Sequence, residues 1–187
     1  MSYISGLLLS PSLILAALAA VSFLQGGAYP PVRRALPAIA VLIGILSLGA
    51  LAAYPFHGAA DIVLQAGAVE LVHLRFDAGS AVLVALVGFV GAIVLAFSGE
   101  YLEGEARQGR FIAWLSLAIA SVLMLVMSGH VIQLVLAWVA TSLVLHKLLL
   151  FYGERPGAKR AASKKFLFAR MGDLFLVAAV ICLWLAF

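Results

Sequence analysis

"GSAVLVALVGFVGAIVLAFS" (79–98) runs for twenty positions without a charged residue or a proline. At 1.5 Å per residue a helix of that length covers ~30 Å, the thickness of a bilayer's hydrocarbon core. A helix on the surface of a soluble domain carries a polar face opposite its apolar stripe. This one has none, so its natural solvent is lipid, and the rest of the chain has to be read in that light.

Five further stretches of about twenty residues are mostly apolar, at roughly 5–26, 36–55, 111–128, 131–152 and 166–187. The whole 187-residue chain agrees: 65% of it is hydrophobic and 11% charged, with mean hydropathy +1.17. Soluble domains carry about 25% charged residues. The expected fold is therefore all-α, a polytopic membrane bundle of about six transmembrane helices forming a single domain over 1–187. The first apolar stretch lacks the positive n-region of a secretory signal and is too long for its h-region, so a retained first helix is expected. The lone cysteine, Cys182, leaves no internal disulfide and no Cys-based metal cluster.

The connections set the orientation. If the segments 27–35, 99–110 and 153–165 share one side, that side holds Arg33, Arg34, Arg107, Arg110, Arg155, Lys159, Arg160, Lys164 and Lys165, whereas the opposite side holds Arg75 alone. Nine against one is a strong positive-inside bias. It predicts the N-terminus outside and a basic cytoplasmic loop at 153–165, GERPGAKRAASKK. Topology and anionic lipid account for such a cluster. The functional alternative is a docking surface for a cytoplasmic partner, formed by Arg155, Lys159, Arg160, Lys164 and Lys165. A loop of this size offers nucleic acid too little surface to track phosphates. Between the second and third helices, AVELVHLRFD (68–77) alternates in a way that suggests a short hairpin strand or an extended segment at the interface.

Charges inside the spans are the exceptions that point to function, since each costs ~2.5–3.5 kcal/mol at mid-helix. His146 and Lys147 lie in the fifth span, and Arg170 and Asp173 in the sixth. A fifth helix ending near Tyr152 and a sixth starting at Lys165 would place all four ~8–12 Å inside the same end of the membrane. Arg170 and Asp173, three residues apart, share a helix face and can pair. The long Lys147 and Arg170 side chains can snorkel to the headgroups, whereas Asp173 is too short and needs a partner, water or a proton. His146 titrates near neutrality in water, so a proton route through Asp173, Arg170, His146 and Lys147 is one reading. A purely structural Arg170–Asp173 pair is the other. Nothing in the spacing of His57, His73 and His130 resembles a zinc site. Trp114, Trp138 and Trp184 read as packing or interfacial anchors.

Taken in order, Gly109-Arg110-Phe111, Trp138, Phe151-Tyr152, a basic Ala-rich stretch, Lys165-Phe166 and Ala169-Arg170-Met171-Gly172-Asp173 form a recognisable series. It resembles the first conserved block of the proton-conducting antiporter-like membrane subunits of respiratory complex I and Mrp-type antiporters. The stretch 74–105, with Asp77 in an Asp-x-x-Ser setting, fits the same family's hairpin and third helix. Complex I members carry a glutamate directly after the fifth-helix tryptophan, where this chain has Val139. Trp138-Val139-Ala140-Thr141-Ser142-Leu143-Val144-Leu145-His146 instead resembles the membrane subunit of the DAB inorganic-carbon accumulation complex.

That resemblance implies a proton- or sodium-conducting subunit of a bacterial inner membrane. It implies a large cytoplasmic partner, carbonic-anhydrase-like, that holds the zinc and performs CO2 hydration; the membrane chain itself is expected to hold no cofactor and to catalyse nothing. Arg170 and Asp173 match the family's proton-path positions, and His146, aided by Lys147, is expected to stand in for the glutamate lost at Val139. The family has a dozen or more helices in inverted repeats. The chain is accordingly expected to be either an N-terminal portion or to be completed by a further membrane chain. A complex I or Mrp subunit and a non-conducting membrane anchor are the alternative functions.

Overall fold

The computed structural model describes residues 2–25, 30–66, 69–152 and 156–186. Among the described residues, six helices are long and apolar enough to cross a membrane, as the apolar runs predict. They are α1 (Ser2–Gln25), α2 (Pro30–His57), α3 (Ala78–Tyr101), α4 (Gln108–Val126), α5 (Val131–Leu149) and α6 (Pro156–Ala186). Between α2 and α3 a two-stranded hairpin is inserted, β1 (Ala60–Ala66) and β2 (Val69–Phe76). This is a multi-pass membrane protein.

Helices α1 to α4 close a ring of contacts, α2 on α3, α3 on α4, α4 on α1 and α1 on α2, while α5 packs on α4 and α6 on α5. Helix α4, which touches three others, therefore lies at the centre, and α6 forms an outer edge. Backbones approach closely where side chains are small: α3 turns Ser80, Ala81, Ala85, Gly88, Gly91, Ala92, Ser98 and Gly99 inward. A Cβ on Gly88 would overlap the buried side chain of Ser47 on α2, and one on Gly91 would stand 2.9 Å from Ile119 Cγ2 on α4. In lipid, where no hydrophobic drive joins helices, such close contact is the main source of packing energy. Pro11 interrupts α1 and leaves the carbonyl of Leu7 without its i+4 donor; the Ser10 hydroxyl donates to that carbonyl at 3.0 Å.

The hairpin alternation is borne out, with His73 opposite Val63 and Arg75 opposite Asp61. Leu74 and Phe76 of β2 are buried. This strand clips onto the turn between α4 and α5: the Arg75 N–H donates to the Met127 carbonyl, and the Gly129 N–H to the His73 carbonyl, each at 2.8 Å. The His73 N–H is accepted by Gln133 Oε1 at 2.8 Å. Only glycine fits at 129, because a Cβ there would meet His73 Cδ2 at 2.8 Å. His130 caps α5, its Nδ1 accepting from the Ile132 N–H.

Asp77 starts α3 with a capping box: its carboxylate accepts from the Ser80 N–H, and the Ser80 hydroxyl accepts from the Asp77 N–H. The Ser80 backbone N–H, followed by its hydroxyl and nearby Arg75, holds the Asp77 carboxyl below its ordinary value of 3.8. A depressed folded pKa means that this contribution is fully present above the ordinary carboxylate range. It is lost as pH falls through the lower folded value. Asp77→Ala is expected to lower stability by about 1 kcal/mol at neutral pH, read as a lower midpoint in detergent thermal melts; the difference should vanish in strong acid.

Two boundaries differ from the sequence reading. The stretch 156–165, expected as part of a basic loop, is helical and extends α6 to 31 residues. Alanine, lysine and arginine are all good helix formers, so the segment continues the helix although it is too polar to enter lipid. Helix α5 ends at Leu149 rather than near Tyr152.

Candidate functional site

Helix α6 buries a stripe against α5. Ala162 is 1% exposed and Asp173 7% exposed. Lys165, Ala169, Arg170, Leu176 and Val180 are half-buried on the same side. The steps of three or four residues along 162–165–169–173–176–180 are those of one helical face. Asp173 sits on this stripe seven residues, or ~10 Å, past Phe166, where the apolar part of α6 begins. It faces Trp138, whereas His146, two turns further along α5, faces Phe166, so the packing does not keep the four groups at one common depth. His146 and Lys147 lie in the last turn of α5.

The carboxylate of Asp173 has two partners. Arg170 Nη2 lies 2.8 Å from Oδ2, in a contact whose angles make it an ion pair rather than a formed hydrogen bond. Trp138 Nε1 donates to Oδ1 at 3.0 Å. Trp138 is near the middle of α5, so the indole fixes the carboxylate from the facing helix while Arg170 holds it from its own. The role of Trp138 thus goes beyond the packing or anchoring that its position in the sequence suggests. The sequence signal that could have found it is a mid-span indole N–H, itself a donor in need of a partner, on the helix preceding the membrane carboxylate.

The other end of the site is aromatic. The His146 ring lies 4.8 Å from the Phe166 ring, centroid to centroid, and the Arg170 guanidinium carbon lies 5.2 Å from the same ring. His146 Nδ1 is buried and accepts no hydrogen bond among the described residues. The structure thus brings together His146, Phe166, Arg170, Asp173 and Trp138 in a row of about 10 Å, seven helical residues from Phe166 to Asp173 at 1.5 Å each. Lys147 is not part of it; one position round the helix from His146, it is exposed. Val139 is half-buried beside Trp138 and carries no proton.

Of the basic residues expected to dock a partner, Lys159, Arg160 and Lys164 are exposed on the helical extension of α6. Lys165 differs in facing the α5 side, half-buried, and Arg155 lies outside the described residues.

Comparison with known proteins agrees with this architecture. Residues 68–112 match the family described as NADH-ubiquinone oxidoreductase (complex I), chain 5 N-terminus, and residues 128–186 match NADH:quinone oxidoreductase/Mrp antiporter, TM. The probable inorganic carbon transporter subunit DabB2 of Halothiobacillus neapolitanus is 33% identical over 96% of this chain and 34% of its own length. DabB of Hydrogenovibrio crunogenus is 36% identical over 56% of this chain and 20% of its own. Escherichia coli NADH-quinone oxidoreductase subunit L is 32% identical over 60% of this chain and 18% of its own. A chain of the membrane-bound sulfane sulfur reductase, an archaeal respiratory complex, shares the fold with a TM-score of 0.71 at 14% identity, over 95% of this chain and 36% of that one. The chain thus spans about a third of DabB2's length. It belongs to the antiporter-like membrane subunits of the complex I and Mrp type and is a homologue of the inorganic carbon transporter subunit DabB.

Proposed function

We propose that this chain forms part of a proton-conducting membrane subunit that couples a cation gradient to inorganic-carbon accumulation, with Asp173 as its proton carrier. The observation that supports this most is a carboxylate buried within the sixth span, held by one cation and one indole donor. A carboxylate so placed is costly in lipid. It keeps a proton-accepting group on a defined bearing, and its ion pair with Arg170 can open when a proton arrives to neutralise it. His146 is the imidazole nearer the basic end of the site.

On this reading the catalysis belongs elsewhere. Lys159, Arg160 and Lys164, exposed on α6, dock a large cytoplasmic carbonic-anhydrase-like subunit, with Lys165 and, by its place in the sequence, Arg155 contributing charge. Zinc sits in that subunit, and CO2 hydration proceeds there. A further membrane segment or chain covers the outer faces of α5 and α6, and the assembly resides in a bacterial inner membrane. The relatives named as inorganic carbon transporter subunits favour this over a complex I or Mrp role, as does valine at 139.

The test is uptake of labelled inorganic carbon by cells that depend on the intact complex. Collapse of the proton gradient by a protonophore is expected to stop uptake, while replacement of external sodium leaves it unchanged. Dependence on sodium alone would reassign the cation. Uptake that persists under both treatments contradicts the proposal.

A further inference from the structure

We infer that Phe166 is the barrier that keeps His146 and the Arg170–Asp173 pair from exchanging protons freely, an inference that rests on Asp173 carrying protons. The polar groups of the α5–α6 contact form a row with one gap. At one end Trp138, Asp173 and Arg170 are joined by direct polar contacts. At the other, His146 keeps a buried Nδ1 that no described residue engages. The Phe166 ring is the side chain that touches both parts, packing on the imidazole and on the guanidinium.

A phenyl ring neither accepts nor donates a proton, and an apolar constriction excludes the water that would otherwise bridge the two groups. Arg170 does not relay a proton between them, since a guanidinium offers donors and no acceptor. Transfer between His146 and Asp173 therefore needs the ring to move and water to enter. Phe166 is partly exposed. Its contact with Arg170 links that movement to the ion pair: the guanidinium rests against the ring while it holds Asp173.

The experiment uses the whole complex reconstituted in liposomes with an entrapped pH dye, under a potassium diffusion potential and without inorganic carbon. Wild type is expected to be tight. Phe166→Ala is expected to leak protons several-fold faster, and Phe166→Leu, which keeps apolar bulk but loses the ring face, to stay as tight as wild type. Adding Asp173→Asn to Phe166→Ala should return the leak to background. A tight Phe166→Ala complex overturns the barrier role and leaves the proton route through Asp173 standing. A leak that survives in the double variant overturns the route itself. Should Phe166→Ala not assemble, Phe166→Val, which removes the ring but keeps a branched side chain, carries the same comparison. If the ring served only to steady Arg170, Phe166→Leu would lose uptake with no leak in either variant, which also overturns the barrier.

Discussion

Cells carrying Asp173→Asn are expected to lose inorganic-carbon uptake by about a hundredfold, the range over which removal of a proton-transferring group acts. Asparagine has nearly the same shape and keeps a carbonyl oxygen for the Trp138 N–H, which reaches the wild-type carboxylate at 3.0 Å. What it removes is the titratable proton and the charge facing Arg170. Leaving one partner of a buried pair unmatched is destabilising. Here Arg170 is 32% exposed in its side chain and long enough to reach towards the headgroups, so the complex is expected to assemble at near-normal levels. A complex that fails to assemble would instead favour the pair as a structural tie between α5 and α6. Immunoblots of the membrane fraction and of the purified complex, read beside the uptake rates, separate the two.

Gly88→Leu is expected to have an effect of similar size by a different cause. The α2–α3 contact is the most extensive between helices in this fold, and even a methyl group at 88 would overlap Ser47, which is fully buried. Forcing a larger side chain into a packed interface costs about 3 kcal/mol, a large part of the roughly 5–15 kcal/mol that holds a typical domain together. The expected result is a drop in monodisperse protein on detergent size exclusion, with the residual material melting at lower temperature. Gly88→Ala is expected to show a smaller loss, and adding Ser47→Gly to it restores the space for the methyl group and should recover most of that loss. If Gly88→Leu behaves as wild type, the close approach of α2 to α3 is wrong.

Much of this fold is legible in the sequence because lipid imposes a simple rule. A segment such as 79–98 has no polar face to hide, so it spans. The hairpin also announces itself, through alternation over 68–77. The start of α6 does not: GAKRAASKK is polar enough to read as a loop, yet its residue types favour helix, and hydropathy does not distinguish a projecting helix from a coil. The site is partly visible. Arg170 and Asp173 stand three residues apart on one helix, so spacing alone pairs them. Trp138 escapes such a reading, because its partner is 35 residues away on another helix, and only the packing of α6 on α5 determines that indole and carboxylate meet. The same packing separates His146 from Lys147, neighbours in sequence that differ by about 100° around the helix.

The claim that Asp173 carries protons is tested most directly by proton flux through the purified, fully assembled complex in liposomes, with inorganic carbon supplied and the pH followed inside. Asp173→Asn is expected to reduce flux coupled to inorganic carbon to the background of empty liposomes, with partner content and complex size unchanged. Coupled flux at the wild-type rate through an assembled Asp173→Asn complex would contradict it.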